Sequence, residues 1–253
     1  TSAVRDADNG AEFVAEVERR FGVVLDLIEG DREAQLTFAG ACSGDALGDE
    51  RSVVVDIGGG STEFIVGEGG ELRFHVSTNI GAVRHSERFL HSDPPAAAEL
   101  SELLAAAGEE IRANVPAEWR AGISRGVAVA RTPTVLASVD LALEQFDPWK
   151  VHGHPITREA CERILAELAA LPLARRRAVT GLHPDRAPTI VAGAAMFVIV
   201  KRIRDQRRRP LRSFTPVAVF DRARRVYCDA RGQVIAPLDQ VRFERRMQLT
   251  SSS

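Results

Sequence analysis

The run Ser52-Val53-Val54-Val55 passes straight into Asp56-Ile57-Gly58-Gly59-Gly60-Ser61-Thr62-Glu63, and no other stretch constrains the fold as much. A β-branched run of this length reads as a buried strand, and three glycines directly behind it force a loop at the strand's C-terminal end. Phe64-Ile65-Val66 and Leu72 to Val76 then flank Gly67-Glu68-Gly69-Gly70, which predicts a hairpin and hence three successive antiparallel strands. The loop chemistry suits an anion. Consecutive glycines allow backbone N–H groups to converge on one point, Ser61 and Thr62 add hydroxyls, and Asp56 at the strand end can hold a divalent cation. The residues therefore predict phosphate binding by Gly58, Gly59, Gly60, Ser61 and Thr62, with Mg²⁺ at Asp56. The competing reading is a plain glycine-rich hairpin turn, which seldom needs three glycines behind an Asp-terminated strand.

Around this core the punctuation predicts alternating elements. Residues 9–22 carry Phe13, Val14, Val17 and Phe21 at helical spacing, with Asp8 or Asn9 as cap and Gly22 as stop. Val23–Ile28 reads as a short strand, and residues 32–40 as helical with ambiguous periodicity. After Pro94-Pro95, a helix presents Leu100, Leu103, Leu104, Ala107, Ile111 and Val115 on one face until Pro116. Residues 126–130 predict a buried strand leading into a helix at Arg131-Thr132-Pro133-Thr134. Thr157 caps a helix built on Cys161, Ile164, Leu165, Leu168 and Leu171, and residues 187–203 form a very apolar last helix. Phe214–Phe220 is one more candidate strand. The order predicts an α/β fold, a mixed sheet flanked by helices.

Composition narrows the function classes. The chain has 253 residues, 45% of them hydrophobic, so a packed core is within reach and disorder is excluded. A formal charge of −2 argues against a dedicated nucleic-acid binder, but residues 201–253 hold 14 basic against 5 acidic residues, a net +9, and residues 1–200 the balance of −11. With few aromatics in that basic tail, a solvated segment is expected and nucleic acid is not. Cys42, Cys161 and Cys228 form neither a disulfide framework nor a zinc pattern, and the six histidines lack metal spacing. The chain has no long apolar run and no secretory order at its start, so a cytoplasmic protein without membrane contact is expected.

The stretch from Asp56 to Thr62 resembles the second phosphate loop of the actin and sugar-kinase superfamily. Four further stretches narrow this: Thr1 to Ala7; Ile28-Glu29-Gly30-Asp31-Arg32-Glu33-Ala34; Asn79-Ile80-Gly81-Ala82-Val83-Arg84 with Glu87-Arg88-Phe89; and Gly181-Leu182 with Asp185-Arg186-Ala187 and Gly193. Together they resemble the exopolyphosphatase and guanosine-pentaphosphate phosphohydrolase (Ppx/GppA) family from Thr1 to about Arg204. The resemblance implies an actin-like (ribonuclease H-like) fold. Residues 1–45 would end a first domain, 46–205 would form a nearly complete second domain, and 206–253 a divergent basic tail. It further implies Mg²⁺-dependent hydrolysis of a terminal phosphoanhydride in inorganic polyphosphate or guanosine pentaphosphate, and leaves room for a homodimer.

Glu33 matches the catalytic base, Glu63 the acidic residue closing the loop, and Asp56 the metal position. Arg84, Arg186 and, more weakly, Arg5 face either the polyanion or ordinary ion pairs. Three departures from the family pattern stand out. No first phosphate loop of Asp-x-Gly-Ser type is present, Arg131-Thr132 stands where Gly-Thr is usual, and Arg32 replaces an acidic neighbour of Glu33. A non-hydrolytic phosphate-binding protein, or an inactive piece of the enzyme, is therefore the second reading.

Overall fold

The computed structural model describes residues 2–5, 7–42 and 50–204, and beyond them the strands Leu211–Ser213, Val219–Asp221, Val226–Cys228 and Val234–Pro237. Helix α1 (Gly10–Phe21) ends where expected: Gly22 turns left-handed at φ 63° and donates its N–H to the Glu18 carbonyl. Val23–Ile28 is not a strand. A strand needs a neighbour for its backbone groups, none of the described strands pairs with this segment, and Val24 is 76% exposed. Helix α2 (Gly30–Cys42) follows and includes the stretch that periodicity left ambiguous.

The main sheet contains β1 (Ser52–Ile57), β2 (Thr62–Glu68), β3 (Glu71–Thr78), β4 (Arg125–Val129), β5 (Pro155–Ile156) and β6 (Leu211–Ser213), in the order β3-β2-β1-β4-β6-β5. β1, β2 and β3 are antiparallel neighbours as the hairpin reading requires, whereas β4 runs parallel to β1, and β6 parallel to β4. The sheet takes up Leu211–Ser213, opposite Val127 and Ala128; of the expected strand 214–220 only Val219 and Phe220 are described, and both are strand. The sheet thus includes a strand beyond residue 205. β7 (Val219–Asp221) joins β8 (Val226–Cys228) and β9 (Val234–Pro237) in a separate antiparallel sheet, and residues 214–218 lie outside the described residues.

The period-two alternation of the strands sorts two cores. Val53, Val55, Ile57, Phe64, Val66 and Ala128 face the larger one. There they meet α3 (Ala82–Phe89), α4 (Ala97–Asn114), α5 (Arg131–Asp140), α6 (Arg158–Ala170) and the central α7 (Ile190–Arg204). α7 is apolar all round because it is enclosed all round, with Val191, Ala194, Phe197 and Val198 at 0–1% exposure. It starts at Ile190 rather than at 187, since Pro184–Arg186 forms a 3₁₀ turn. Val54, Ile65, Val127 and Val129 face the other way, against Ala34, Phe38 and Ala41 of α2. Phe38 lies over Gly67, where any Cβ would collide with the ring. Burying such a side chain stabilises by roughly 2–3 kcal/mol, so α2 is packed onto this sheet. The last helix of the segment 1–45 thus packs against the second face of this sheet.

Arg176, 3% exposed, ties the far end together. It donates to the carbonyls of Leu168 (2.8 Å), Leu171 (2.7 Å) and Ala187 (3.2 Å), joining the end of α6 to the approach to α7. That approach carries Arg186.

Candidate active site

Alternation places the acidic residues. Asp56 shares the parity of Val54 and Glu63 that of Ile65, so both carboxylates lie on the α2 face of the sheet, directly opposite each other in the β1–β2 ladder. Ser77 continues the row on β3 and donates its hydroxyl to Glu63 Oε1 at 2.9 Å. α2 brings Glu33 toward this face from its first turn. Arg5 holds that turn: one guanidinium nitrogen donates to both Glu33 Oε2 and the Ile28 carbonyl, each at 3.1 Å. His75, on β3, reaches Asp31 beside it at 3.3 Å. Arg32, the basic neighbour that departs from the family pattern, turns away to Gln35 at 3.2 Å, while Arg5 pairs with Glu33.

Three carboxylates converging on one face carry an electrostatic cost. Burial, and then the charges of Glu63 and Glu33, push Asp56 up to about 7 from 3.8. A cation would relieve that cost. Among the described residues no group of three or more His, Cys, Asp or Glu is placed to hold a metal ion, so any cation here would rest on fewer protein ligands. Such a donor set suits Mg²⁺, which commonly takes one or two carboxylates and completes its shell with water and phosphate oxygens. Asp56 and Glu63 fit that role.

The glycine loop works differently from the expected nest. Gly58, Gly59 and Gly60 all avoid positive φ. The donors are exposed because the carbonyls are tied back. Gly58 O accepts from Ala82 N (3.0 Å), Gly59 O from Val83 N (2.9 Å), and Gly60 O from Arg84 Nε (2.9 Å). The N–H groups of Gly59 and Gly60 have no acceptor among the described residues. Gly81 makes this clasp feasible, because a Cβ there would collide with the backbone of Gly59 and Gly60. Buried His85 accepts from Gly81 N–H at 3.4 Å, and its burial holds its pKa below the usual value, which keeps it neutral for that bond.

Two expected ligands are thereby reassigned. Gly58 N–H closes the loop on Ser61 O at 3.0 Å. The Thr62 hydroxyl, in a residue 1% exposed, donates to Ile80 O at 2.6 Å and fastens β2 to the approach to α3, so it does not face an anion. Arg84 braces the loop through Gly60, which makes it a positioning residue; Ser61 remains at the loop's end with its carbonyl engaged.

A cleft of about 490 Å³ opens from the loop. Gly58, Gly59 and Val83 line one side, and Arg131, Thr132, Arg186 and Thr189 the other. Arg186 is therefore brought to the loop's cleft. Sequence reasoning overlooked Ala130, at the end of β4. It sits at φ 71° and ψ −167°, a region almost reserved for glycine, where the chain must enter α5 beside the cleft. Such strain costs about 1–3 kcal/mol, partly offset by the looser unfolded chain that glycine brings. Ala130→Gly is accordingly expected to stabilise the protein by roughly 1 kcal/mol, read from its denaturant midpoint; a lower midpoint would show that the alanine is unstrained.

The sequence profile of the Ppx/GppA phosphatase family matches residues 1–207. The chain belongs to this family. Exopolyphosphatase 2 of Mycobacterium tuberculosis is 33% identical over 217 residues, covering 83% of this chain and 66% of that protein. The guanosine-5'-triphosphate,3'-diphosphate pyrophosphatase of Vibrio cholerae is 33% identical over 201 residues, which are 79% of this chain and 39% of that one. A Ppx/GppA crystal structure from Aquifex aeolicus superposes with a TM-score of 0.73 at 27% identity, covering 85% of this chain and 68% of its own. This Ppx/GppA chain thus spans less than two thirds of the length of these two curated relatives. Its fold is that of the family, a mixed sheet of the actin-like class.

Proposed function

We propose that this protein hydrolyses terminal phosphoanhydride bonds, releasing orthophosphate from inorganic polyphosphate or the 5′ phosphate from guanosine pentaphosphate. The observation that carries the reading is the loop Gly58–Ser61 between the strands of Asp56 and Glu63, whose glycine carbonyls are tied to α3 while the N–H groups of Gly59 and Gly60 have no acceptor among the described residues. Those two donors bind oxygens of the terminal phosphate, and Arg186 meets the chain behind it. When bound at Asp56 and Glu63, Mg²⁺ supplies charge neutralisation for the transferring phosphoryl group.

Glu33 is the base in this reading. Its carboxylate orients a water for in-line attack and accepts the water's proton as the new P–O bond forms and the bridging P–O bond breaks. The shortened chain leaves with the bridging oxygen. Arg5 holds Glu33 in place. Ser77 fixes the rotamer of Glu63. The relatives named for both substrates support the reaction class without choosing between them. Incubation with polyphosphate and Mg²⁺ is expected to liberate orthophosphate; a protein that binds polyphosphate and releases none would be a non-hydrolytic binder.

A further inference from the structure

We propose that Arg131, Arg177 and the half-buried Arg186 form an outer anion track that selects a linear phosphate chain several units long over a compact nucleotide. The inference rests on the proposed terminal-phosphate reading of the glycine loop. The loop's cleft does not end at Arg186. A second cleft, lined by Glu144, Arg177, Gly181, His183 and Asp185, shares Arg131, Thr134, Val135, Phe146 and Arg186 with the first, so the two form one continuous groove. It leads away from Gly59 along the N-terminal half of α5 and past the turn before α7.

Several arginines outside this groove are tied to protein acceptors. Arg5, Arg51, Arg163 and Arg176 each hold a carboxylate or a set of carbonyls. Arg131, Arg177 and Arg186 have no side-chain acceptor or ion pair among the described residues. The groove also carries two acids, Glu144 and Asp185; His183 Nδ1 accepts the Asp185 N–H at 3.3 Å and so donates nothing to that carboxylate. Three guanidiniums without a protein partner among the described residues, against two carboxylates in the same groove, match an anion that repeats its charge along its length. Arg131 is the telling position, because it stands where the family pattern has glycine. Phe146, 59% exposed, flanks the same groove and is the feature a nucleobase would use instead. It offers one apolar face against three cations, and Arg177 lines only the second cleft, where a single neutral base has no further charge to present.

The test is equilibrium binding with three probes: inorganic tripolyphosphate, polyphosphate of about 45 units and guanosine pentaphosphate, each with Mg²⁺ over a salt series. For the wild type, the long chain is expected to bind at least ten-fold more tightly per chain end than tripolyphosphate. Arg177→Gln is expected to weaken the long chain about five-fold and to lower its salt slope by roughly one, with tripolyphosphate unchanged within two-fold. Arg131→Gln, at the junction of the clefts, is expected to weaken both. Equal affinity for the short and long chains, or no effect of Arg177→Gln on the long one, would overturn the track. A loss confined to guanosine pentaphosphate would overturn it in favour of a nucleotide subsite. Failure of the wild type to bind tripolyphosphate would instead sink the reading of the glycine loop, a result distinct from failure of the track.

Discussion

Glu33→Gln is expected to lower orthophosphate release from polyphosphate by about 10²–10⁴-fold while leaving polyphosphate affinity within about three-fold, since general-base assistance is typically worth that much in rate. The separation of rate from affinity follows from the geometry. Glu33 comes from the first turn of α2, whereas the donors that would hold the phosphate come from Gly59 and Gly60 between β1 and β2. Loss of the carboxylate removes the proton acceptor and Arg5's ion-pair partner, but it leaves the loop's clasp on α3 untouched. The Arg5 contact supplies an internal control. If Glu33 were only the structural partner of Arg5, Glu33→Gln would lower the thermal midpoint and leave turnover nearly intact. Full turnover in that variant would remove Glu33 from the chemistry.

The second large effect lies in stability against pH. Asp56 is raised to about 7 from 3.8 by burial and by Glu63 and Glu33, so between these values the folded protein keeps a proton that the unfolded chain has lost. The contribution is therefore fully present below about pH 4 and is lost as pH rises through about 7. Three units correspond to an upper bound on the order of 4 kcal/mol. Asp56→Asn should abolish this part of the slope. At pH 8 without Mg²⁺ it should raise the melting temperature, by up to roughly 10 °C for a chain of this size. Mg²⁺ should stabilise the wild type at pH 8 and do much less for the variant, because binding to the folded form alone shifts the midpoint. Identical wild-type and Asp56→Asn curves across pH 4–8, with equal responses to Mg²⁺, would show that Asp56 carries neither the proton nor the cation.

The elements nearest the site were the most legible in the sequence. Val53 to Val55, the glycines and the hairpin encode β1–β3 by alternation and turn chemistry alone, and Thr157 and Gly22 act as the cap and stop that their residue types predict. What escaped was set by distant contacts. Val23–Ile28 has strand composition and no strand beside it, while Leu211–Ser213 has little strand character of its own and gains it from the open edge of β4. α2 belongs to the sheet through Phe38 and Gly67, a pairing across 29 positions that no local pattern announces. In the loop, the residue types correctly suggested exposed donors, but three glycines do not say which peptides are turned. The bonds from Ala82, Val83 and Arg84 decide that, and the buried bond from Thr62 to Ile80 removes a hydroxyl that composition alone assigns to phosphate. Ala130 carried no signal, since its residue type is the ordinary one for a strand end and only its φ is unusual.

The most direct test of the central claim is a time course of polyphosphate cleavage in which every product is resolved, with Mg²⁺ and again with the cation chelated. A loop that holds one terminal phosphate beside Glu33 predicts orthophosphate as the sole small product, chains that shorten one unit at a time from their ends, and no release without the cation. Pyrophosphate, mid-chain fragments, or release that persists in chelator would contradict it.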